Sequence, residues 1–405
     1  MAGREISRRR LLAAAGGGAV VGGLVTASGI SLTGDPQAVA NPIGVATEPF
    51  YGAHQAGIVT AAQAHTRVVS FTIRPGVSKS VLGALLLKWT ESAAAMTAAQ
   101  APALDTSPEL FANGPARLTV TVAFGPGFFD RPGMARLRPD GLADLPAFHK
   151  DDLQPQWTGG DLFIQVSGDD PLVVSHATRS LITQGSQVAK AQWVQRGFLR
   201  SHGVSPDAAA TQRNLMGNMD GTGNPQPTDG DFAEVVWSGT AMPQWARGGS
   251  FVILRRIRML LDHWETHSRE QQDEVIGRRK DSGAPLTGMV ERDQPDFSAQ
   301  NADGSLVIPA AAHIRLAHHT STRGAKILRR SYSYDDGYRP DGQPDAGLMF
   351  IAWQADPRTG FVPIQNRLDV GDAMNHMTSA EGSAIALAPP GCQPGGYLGQ
   401  ELFDS

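Results

Sequence analysis

The feature that most constrains this chain is an alternation of strand and helix signals that runs once, stops at a glycine-rich loop and starts again. RVVSFTIR (67–74) has the β-branched content of a strand, and residues 81–96 carry apolar side chains at helical spacing. RLTVTVAF (117–124) alternates apolar and polar residues, 162–166 reads as a strand, and 171–192 reads as a helix. Strand, helix, strand, strand, helix predicts an α+β unit, with helices on one face of an antiparallel sheet. The pattern restarts with a strand at 250–261 and a polar helix at 262–279. Strands at 326–334 and 348–355, a short helix at 371–378 and a last strand at 383–387 follow. Residues 99–116 are rich in Pro and Ala, 125–160 carry many Gly, Pro and Asp, and both read as loops, as does 280–312. The expected organisation is therefore two similar α+β halves, 41–215 and 216–405.

The chain can fill two such cores, with 405 residues of which 41% are hydrophobic and 18% charged. A formal net charge of -4 offers no attraction to a polyanion, so no nucleic acid is expected as a partner. The single cysteine, Cys392, excludes an intramolecular disulfide framework and reads as a small filler in a C-terminal loop. The N-terminus is more specific. Arginines 8–10 precede a weakly apolar, Gly- and Ala-rich stretch that ends in Ala38-Val39-Ala40. That is the layout of a twin-arginine signal peptide over residues 1–40, with Asn41 as the mature start. A membrane anchor is the alternative. Glycine abundance and the A-V-A site argue against it, so no stable membrane span is expected after cleavage. The expectation is export by the twin-arginine machinery to a periplasmic or extracellular location. That route carries folded proteins, often with a cofactor already aboard.

The loop between the halves, NLMGNMDGTGNP (214–225), sets one acid, Asp220, among three glycines. It lacks the lysine of a phosphate loop and the spaced acids of a calcium loop. Its glycines let backbone approach something closely. Of the 11 histidines, His313 stands out, in AAHIRLAHH (311–319), because small neighbours leave room for something bulky and flat. The alternative is a satisfied core histidine. His263 and His267 lie four apart on the expected polar helix and read as a solvated face. Arg329 and Arg330 interrupt the strand pattern of KILRRSYSYDDG. On a strand they point to opposite faces, one to solvent and one inward, and an inward arginine needs an anion or a polar cofactor. Two surface arginines on an edge strand are the alternative. A histidine, an interior arginine and a loop aspartate together suggest haem-peroxide chemistry. Haem iron takes one neutral imidazole, peroxide needs a group that moves a proton, and a fixed cation can stabilise the charge that develops.

At these residues the sequence resembles the dye-decolourising (DyP-type) haem peroxidases. FYGAHQAGI (50–58), FGPGFFD (124–130), GGDLFIQVSGDDP (159–171), the G-x-x-D-G of 217–221, HIRLA (313–317) and LRRSYSYDDG (328–337) follow in the family's order over nearly all of the mature chain. The resemblance implies two ferredoxin-like halves, with one haem b per chain held mainly by the second. It implies Asp220 as distal acid–base, Arg329 as distal charge stabiliser and His313 as the iron ligand. Gly221, Thr222 and Gly223 match the segment lying against haem, and His318, His319 and Thr320 a stretch that often contacts it. There the family often has Asn-Pro or Pro where this chain has His318-His319, which leaves His318 open as a competing ligand. A carboxylate should support the iron-binding histidine, with Asp369 and Asp372 as candidates. The implied partners are hydrogen peroxide and an organic electron donor such as a dye or phenol. Trp353, Tyr332, Tyr334 and Tyr338 are candidate relays to large donors, and similar proteins often assemble, so a homo-oligomer stays open. An aspartate base predicts an acidic activity optimum, since free aspartate titrates near about 4. A haem-handling or iron-release (deferrochelatase-like) protein is the alternative. A plain haem carrier is a further one, which has no use for the Asp220 and Arg329 pair.

Overall fold

The computed structural model describes residues 42–404, apart from 103–104, 106, 206 and 208–209. The expected export segment, 1–40, lies outside the described residues. The first half lays down β1 (His65–Ile73), the helix Lys79–Thr97, β2 (Thr119–Phe124), β3 (Leu162–Gly168), the helix Pro171–Gly185 and β4 (Ala189–Phe198). All neighbouring strands are antiparallel, in the order β4-β1-β3-β2. The second half gives β5 (Ser250–Met259), two short helices Leu261–Glu265 and Arg269–Ile276, and the short helix His313–Ala317. It continues with β6 (Leu328–Arg329), β7 (Tyr332–Tyr338), β8 (Pro344–Gln354), the helix Phe361–Gly371 and β9 (Thr378–Ala388). Its order, β9-β5-β8-β7, repeats that of the first sheet, which is the β-α-β-β-α-β ferredoxin-like connectivity twice over.

The two sheets meet at two corners through single residue pairs, Phe124 with Leu387 and Phe198 with Ser333. Because β8 also pairs with β5, the eight long strands close into a ring. Its interior is filled from both sides, by Val68, Phe163 and Trp193 of the first sheet against Val252, Leu254 and Trp353 of the second. The opposite faces carry the helices. Leu82, Leu85, Trp89 and Leu181 cover β1, while Phe361 and Ile364 cover Ile253 and Ala352. Local chemistry places the helix starts. The Ser78 side chain accepts from Val81 N, and Asp170 accepts from Leu172 N with Pro171 in the first turn.

Three expectations change. The helix expected over 171–192 ends at Gly185, and β4 begins four residues later. Its face towards the ring interior carries Trp193, Gln195 and Gly197, a polar-rich face that masks the period of two. The helix expected over 262–279 breaks after Glu265, where Ser268 opens a new helix with a capping box to Gln271. His263 and His267 therefore do not share one helix, although their rings meet edge to face at 5.1 Å. The short helix expected over 371–378 is one 3-10 turn, Ala373–His376, and the true helix, Phe361–Gly371, precedes it.

Candidate active site

The glycine-rich loop is built around Asn214. Its Oδ1 accepts from Met216 N at 3.1 Å and Asn218 N at 3.2 Å, and its backbone N–H donates to Asn218 O at 3.0 Å. This tight turn needs a left-handed residue, and Gly217 supplies it at φ +80°. Gly221 is the second, at φ +135°. Between them Asp220 turns towards the sheet. Its Oδ1 accepts from Arg329 Nη1 at 2.6 Å and its Oδ2 from Asn214 Nδ2 at 3.3 Å. The pair is mostly buried, with side-chain exposures of 18% for Asp220 and 28% for Arg329.

Two residues absent from the expected site hold this arrangement. Asn224 clamps the backbone of Arg329, accepting from its N–H at 3.1 Å and donating to its carbonyl at 2.7 Å. Glu291 accepts from Thr211 Oγ1 at 2.5 Å and Thr222 Oγ1 at 2.7 Å, bracketing the Asp220 loop from both sides. The 278–293 loop that carries Glu291 is folded by Arg278, which donates to Gly283 O and Glu291 O, and by Arg279, which donates to Gly288 O. Nothing in the spacing of Glu291 marks it, since its partners lie 69 and 80 residues away.

His313 opens its own short helix, His313–Ala317. Its Nδ1 is paired with Asp372 Oδ2 at 2.6 Å, and Asp372 is itself buried. Burial alone would push the imidazole pKa down, but the Asp372 carboxylate more than offsets it and the net shift is upward. The ring also feels Arg329 and Asp220, so the three groups share one electrostatic neighbourhood. It keeps 34% of its side chain exposed and makes no hydrogen bond through Nε2 among the described residues. Of the two candidate carboxylates, Asp372 is thus the partner of His313. Asp369 instead accepts from His149 Nδ1 at 2.7 Å, His149 N at 2.9 Å and Lys150 N at 2.8 Å.

The remaining expected residues fall in several places. Thr222 is tied to Glu291, while Gly223 has open space where a Cβ would sit. His318, His319 and Thr320 form a turn of their own. Thr320 N donates to His318 Nδ1 at 3.3 Å, the Thr320 hydroxyl lies 2.8 Å from the same nitrogen, and the two imidazoles pack at 4.1 Å. Among the described residues no hydrogen bond joins that turn to Asp220, Arg329 or His313. Both arginines of the 329–330 pair are only partly exposed, and neither simply faces solvent. Of the four candidate relay aromatics only Tyr338 reaches the surface, at 78% exposure, while Trp353, Tyr332 and Tyr334 are buried inside the ring of strands. The Tyr334 hydroxyl is pushed up in pKa by burial and receives a hydrogen bond from Arg256 Nη1. Cys392 is likewise an inert filler, its thiol pushed up to about 11 by burial. No helix among the described residues is long and apolar enough to cross a membrane.

These features suit a haem. A single imidazole, fixed through Nδ1 and open at Nε2, is the donor that haem iron takes. The glycine backbone and the small side chains of 310–312 leave room beside it.

The comparisons with known proteins point the same way. The family description "Dyp-type peroxidase, N-terminal" matches residues 55–199, and "Dyp-type peroxidase, C-terminal" matches 211–393. A dye-decolorizing peroxidase of Thermobifida fusca is 41% identical over 372 residues, covering 87% of this chain and 84% of the relative. A deferrochelatase of Yersinia pseudotuberculosis is 34% identical over 376 residues, covering 88% and 85%. The structure of ferric DtpA from Streptomyces lividans superposes with a TM-score of 0.87 at 41% identity, covering 90% of this chain and 99% of that one. With both halves of the sheet matched in order and 41% identity held over most of the chain, this protein belongs to the Dyp-type peroxidase family.

Proposed function

We propose that this peroxidase reduces hydrogen peroxide and oxidises organic donors such as dyes and phenols in one-electron steps, with Asp220 as acid–base and Arg329 as charge stabiliser. The carrying observation is the 2.6 Å pair of Arg329 with Asp220, electrostatically coupled to a histidine already fixed by a carboxylate. The cofactor is haem b, one per chain, held by His313 of the second half, 216–405. When bound, haem supplies the iron that accepts peroxide and stores its oxidising equivalents.

The chain's own groups then have distinct tasks. Asp372 keeps the His313 Nδ1 proton in place, so Nε2 presents its lone pair and the ring cannot rotate. The Asp220 carboxylate takes a proton from one peroxide oxygen and returns it to the other. Asn214 Nδ2 steadies the Oδ2 that Arg329 does not hold. Arg329 stabilises negative charge on the departing oxygen without moving, because Asn224 fixes its backbone. The backbone of Gly221, Thr222 and Gly223 would pack against the porphyrin, and His318, His319 and Thr320 would help to hold it. Tyr338 is the one relay candidate placed to meet a large donor directly.

The test is stopped-flow peroxide consumption by Asp220→Asn and Arg329→Leu. Each should lose roughly 10²–10⁴-fold, and Asp220→Asn should lose the acidic optimum. Wild-type rates in Asp220→Asn sink the assignment. A second reading, iron release from haem, draws on the deferrochelatase relatives. It predicts free porphyrin in the product mixture and feeble dye turnover. Export through the twin-arginine pathway, resting on residues 1–40, belongs to the same proposal. Lysine at positions 8–10 should hold a reporter fusion in the cytoplasm.

A further inference from the structure

We infer that Glu291 is a positioning residue for Asp220, a carboxylate staple that closes the open end of the hairpin on which Asp220 stands. Its consequence for peroxide turnover rests on the acid–base reading above, whereas its hold on the hairpin stands without it.

The glycine-rich loop is a short hairpin. Arg213 and Met219 form an antiparallel bridge. On either side of it Asp220 N donates to Gln212 O at 2.8 Å and Asn214 N to Asn218 O at 3.0 Å. One arm is therefore 211–213 and the other 219–222, joined by the turn around Asn214. Arg213 secures the turn end, where its Nη1 donates to Gly217 O at 2.8 Å. The open end is different. Among the described residues no backbone hydrogen bond joins the arms beyond Gln212 and Asp220. There a side chain takes over. Glu291 Oε1 accepts from Thr211 Oγ1 at 2.5 Å on one arm and from Thr222 Oγ1 at 2.7 Å on the other. Asp220 stands between the turn and this staple. Thr211 also lines the cavity that Asp220, Asn224 and Arg329 line, so a shift of either arm is a shift of the site itself.

A staple works only if it is held from behind, and Glu291 is. Asp293 Oδ2 accepts from Met289 N at 2.7 Å and Val290 N at 3.0 Å, which folds the turn that presents Glu291. Arg278 Nη1 donates to Glu291 O and to Gly283 O, both at 2.7 Å, and so ties that turn to the segment 278–283. The same segment meets the hairpin again at its turn end, where Arg213 donates to Lys280 O at 2.5 Å and Asp281 O at 2.7 Å. The two loops are thus joined at both ends of the arm that carries Asp220. The chemistry of the staple is specific. Both hydroxyls donate to one oxygen, so that oxygen carries no proton, and a carboxylate makes both bonds charge-assisted. Among the described residues Glu291 has no cation at ion-pair distance, which leaves the two hydroxyls as its partners.

The test uses haem-loaded protein and two readouts. Hydrogen exchange followed by mass spectrometry over 211–222 should speed up about tenfold or more in Glu291→Leu, which removes both bonds. Thr222→Val should do the same in part, and Thr222→Ser, which keeps the hydroxyl, should restore wild-type exchange. Stopped-flow peroxide consumption should slow about tenfold or more in Glu291→Leu, with full haem content and an unchanged Soret band. Added to Asp220→Asn, the same substitution should cost nothing further, because a positioning residue acts only through the group it positions. Wild-type exchange over 211–222 in Glu291→Leu overturns the proposal. So does a full additional loss of rate in the Asp220→Asn background, which would mean that Glu291 acts on something other than Asp220. If Glu291→Leu does not fold, Thr222→Val decides, and wild-type exchange with a wild-type peroxide rate there is equally fatal. If Asp220→Asn itself consumes peroxide at the wild-type rate, the acid–base reading fails instead, while faster exchange in Glu291→Leu still supports the staple.

Discussion

The Asn224 clamp gives the sharpest prediction, because one side chain holds Arg329 by both of its backbone groups. Asn224→Ala removes two hydrogen bonds, at 3.1 and 2.7 Å. At about 0.5–1.5 kcal/mol each, the loss is about 1–3 kcal/mol. With an unfolding entropy near about 2.1 cal/mol/K per residue over roughly 360 residues, that lowers Tm by about 1–4 °C. The kinetic effect should be larger than the stability effect. Arg329 sits on a two-residue strand segment, and freeing its backbone lets Nη1 drift from the 2.6 Å contact with Asp220. A displacement on the order of 1 Å costs about 100-fold in a positioned reaction. Single-turnover stopped-flow should therefore show peroxide consumption slowed about 10–100-fold. The later step, return by a phenolic donor, should keep its rate. Asn224→Asp should do no better, since it keeps the acceptor for Arg329 N but sets a carboxylate oxygen against Arg329 O. If Asn224→Ala consumes peroxide at the wild-type rate while Tm falls as expected, the clamp serves stability alone and the argument from geometry fails.

Three further outcomes follow from the same contacts. Asp372→Asn keeps the shape but removes the charge on His313 Nδ1, and haem affinity should fall about 10–100-fold in a transfer assay to apomyoglobin. Asp369 is buried, which pushes its pKa up, but the backbone and ring donors of His149 and the N–H of Lys150 outweigh this and hold it below the usual range. Its stabilising effect is thus present above about pH 4 and lost as pH falls through the folded value, so Asp369→Asn should flatten the fall of Tm in acid. Arg256 is buried between Glu381, Asp345 and Asp336, so Arg256→Ala should cost about 3–5 kcal/mol in chemical denaturation, while breaking the exposed Arg358–Asp356 pair should cost under about 1 kcal/mol.

How much of this was legible in sequence depends on how local each interaction is. The strands at 67–74, 117–124, 162–166 and 250–261 declare themselves by β-branched content and alternation, and all lie where expected to within a few residues. β4 does not, because its inward face includes Gln195, which is buried to receive Arg256 Nε at 2.9 Å, a partner 61 residues away. The site shows the same limit. Asp220 and Arg329 stood out through glycine context and an arginine pair, but their meeting spans 109 residues. Choosing Asp372 over Asp369 required the helix Phe361–Gly371, whose end turns one acid towards His313 and leaves the other to His149. Glu291 and Asn224 had no periodic or motif mark, since their roles are defined wholly by distant backbone and hydroxyl partners.

The arginine pair then explains why two charges are tolerated where one strand crosses the core. A strand has only two faces, and consecutive side chains leave by opposite ones. Arg329 faces the helix side, where Asp220 neutralises it and His313 shares its electrostatic neighbourhood. Arg330 faces the ring interior, where no carboxylate of the chain completes its donor edge. Had both served stability, the cheaper solution would have been an apolar residue at 330, matching Leu328 and Tyr332 on the same face. The guanidinium retained there is held by Thr60 O and lies against the Tyr332 hydroxyl. Arg330→Leu is therefore the discriminating substitution for stability. It should raise Tm if the residue is only a buried burden. A variant that is less stable than wild type would mean that Arg330 is satisfied within the fold.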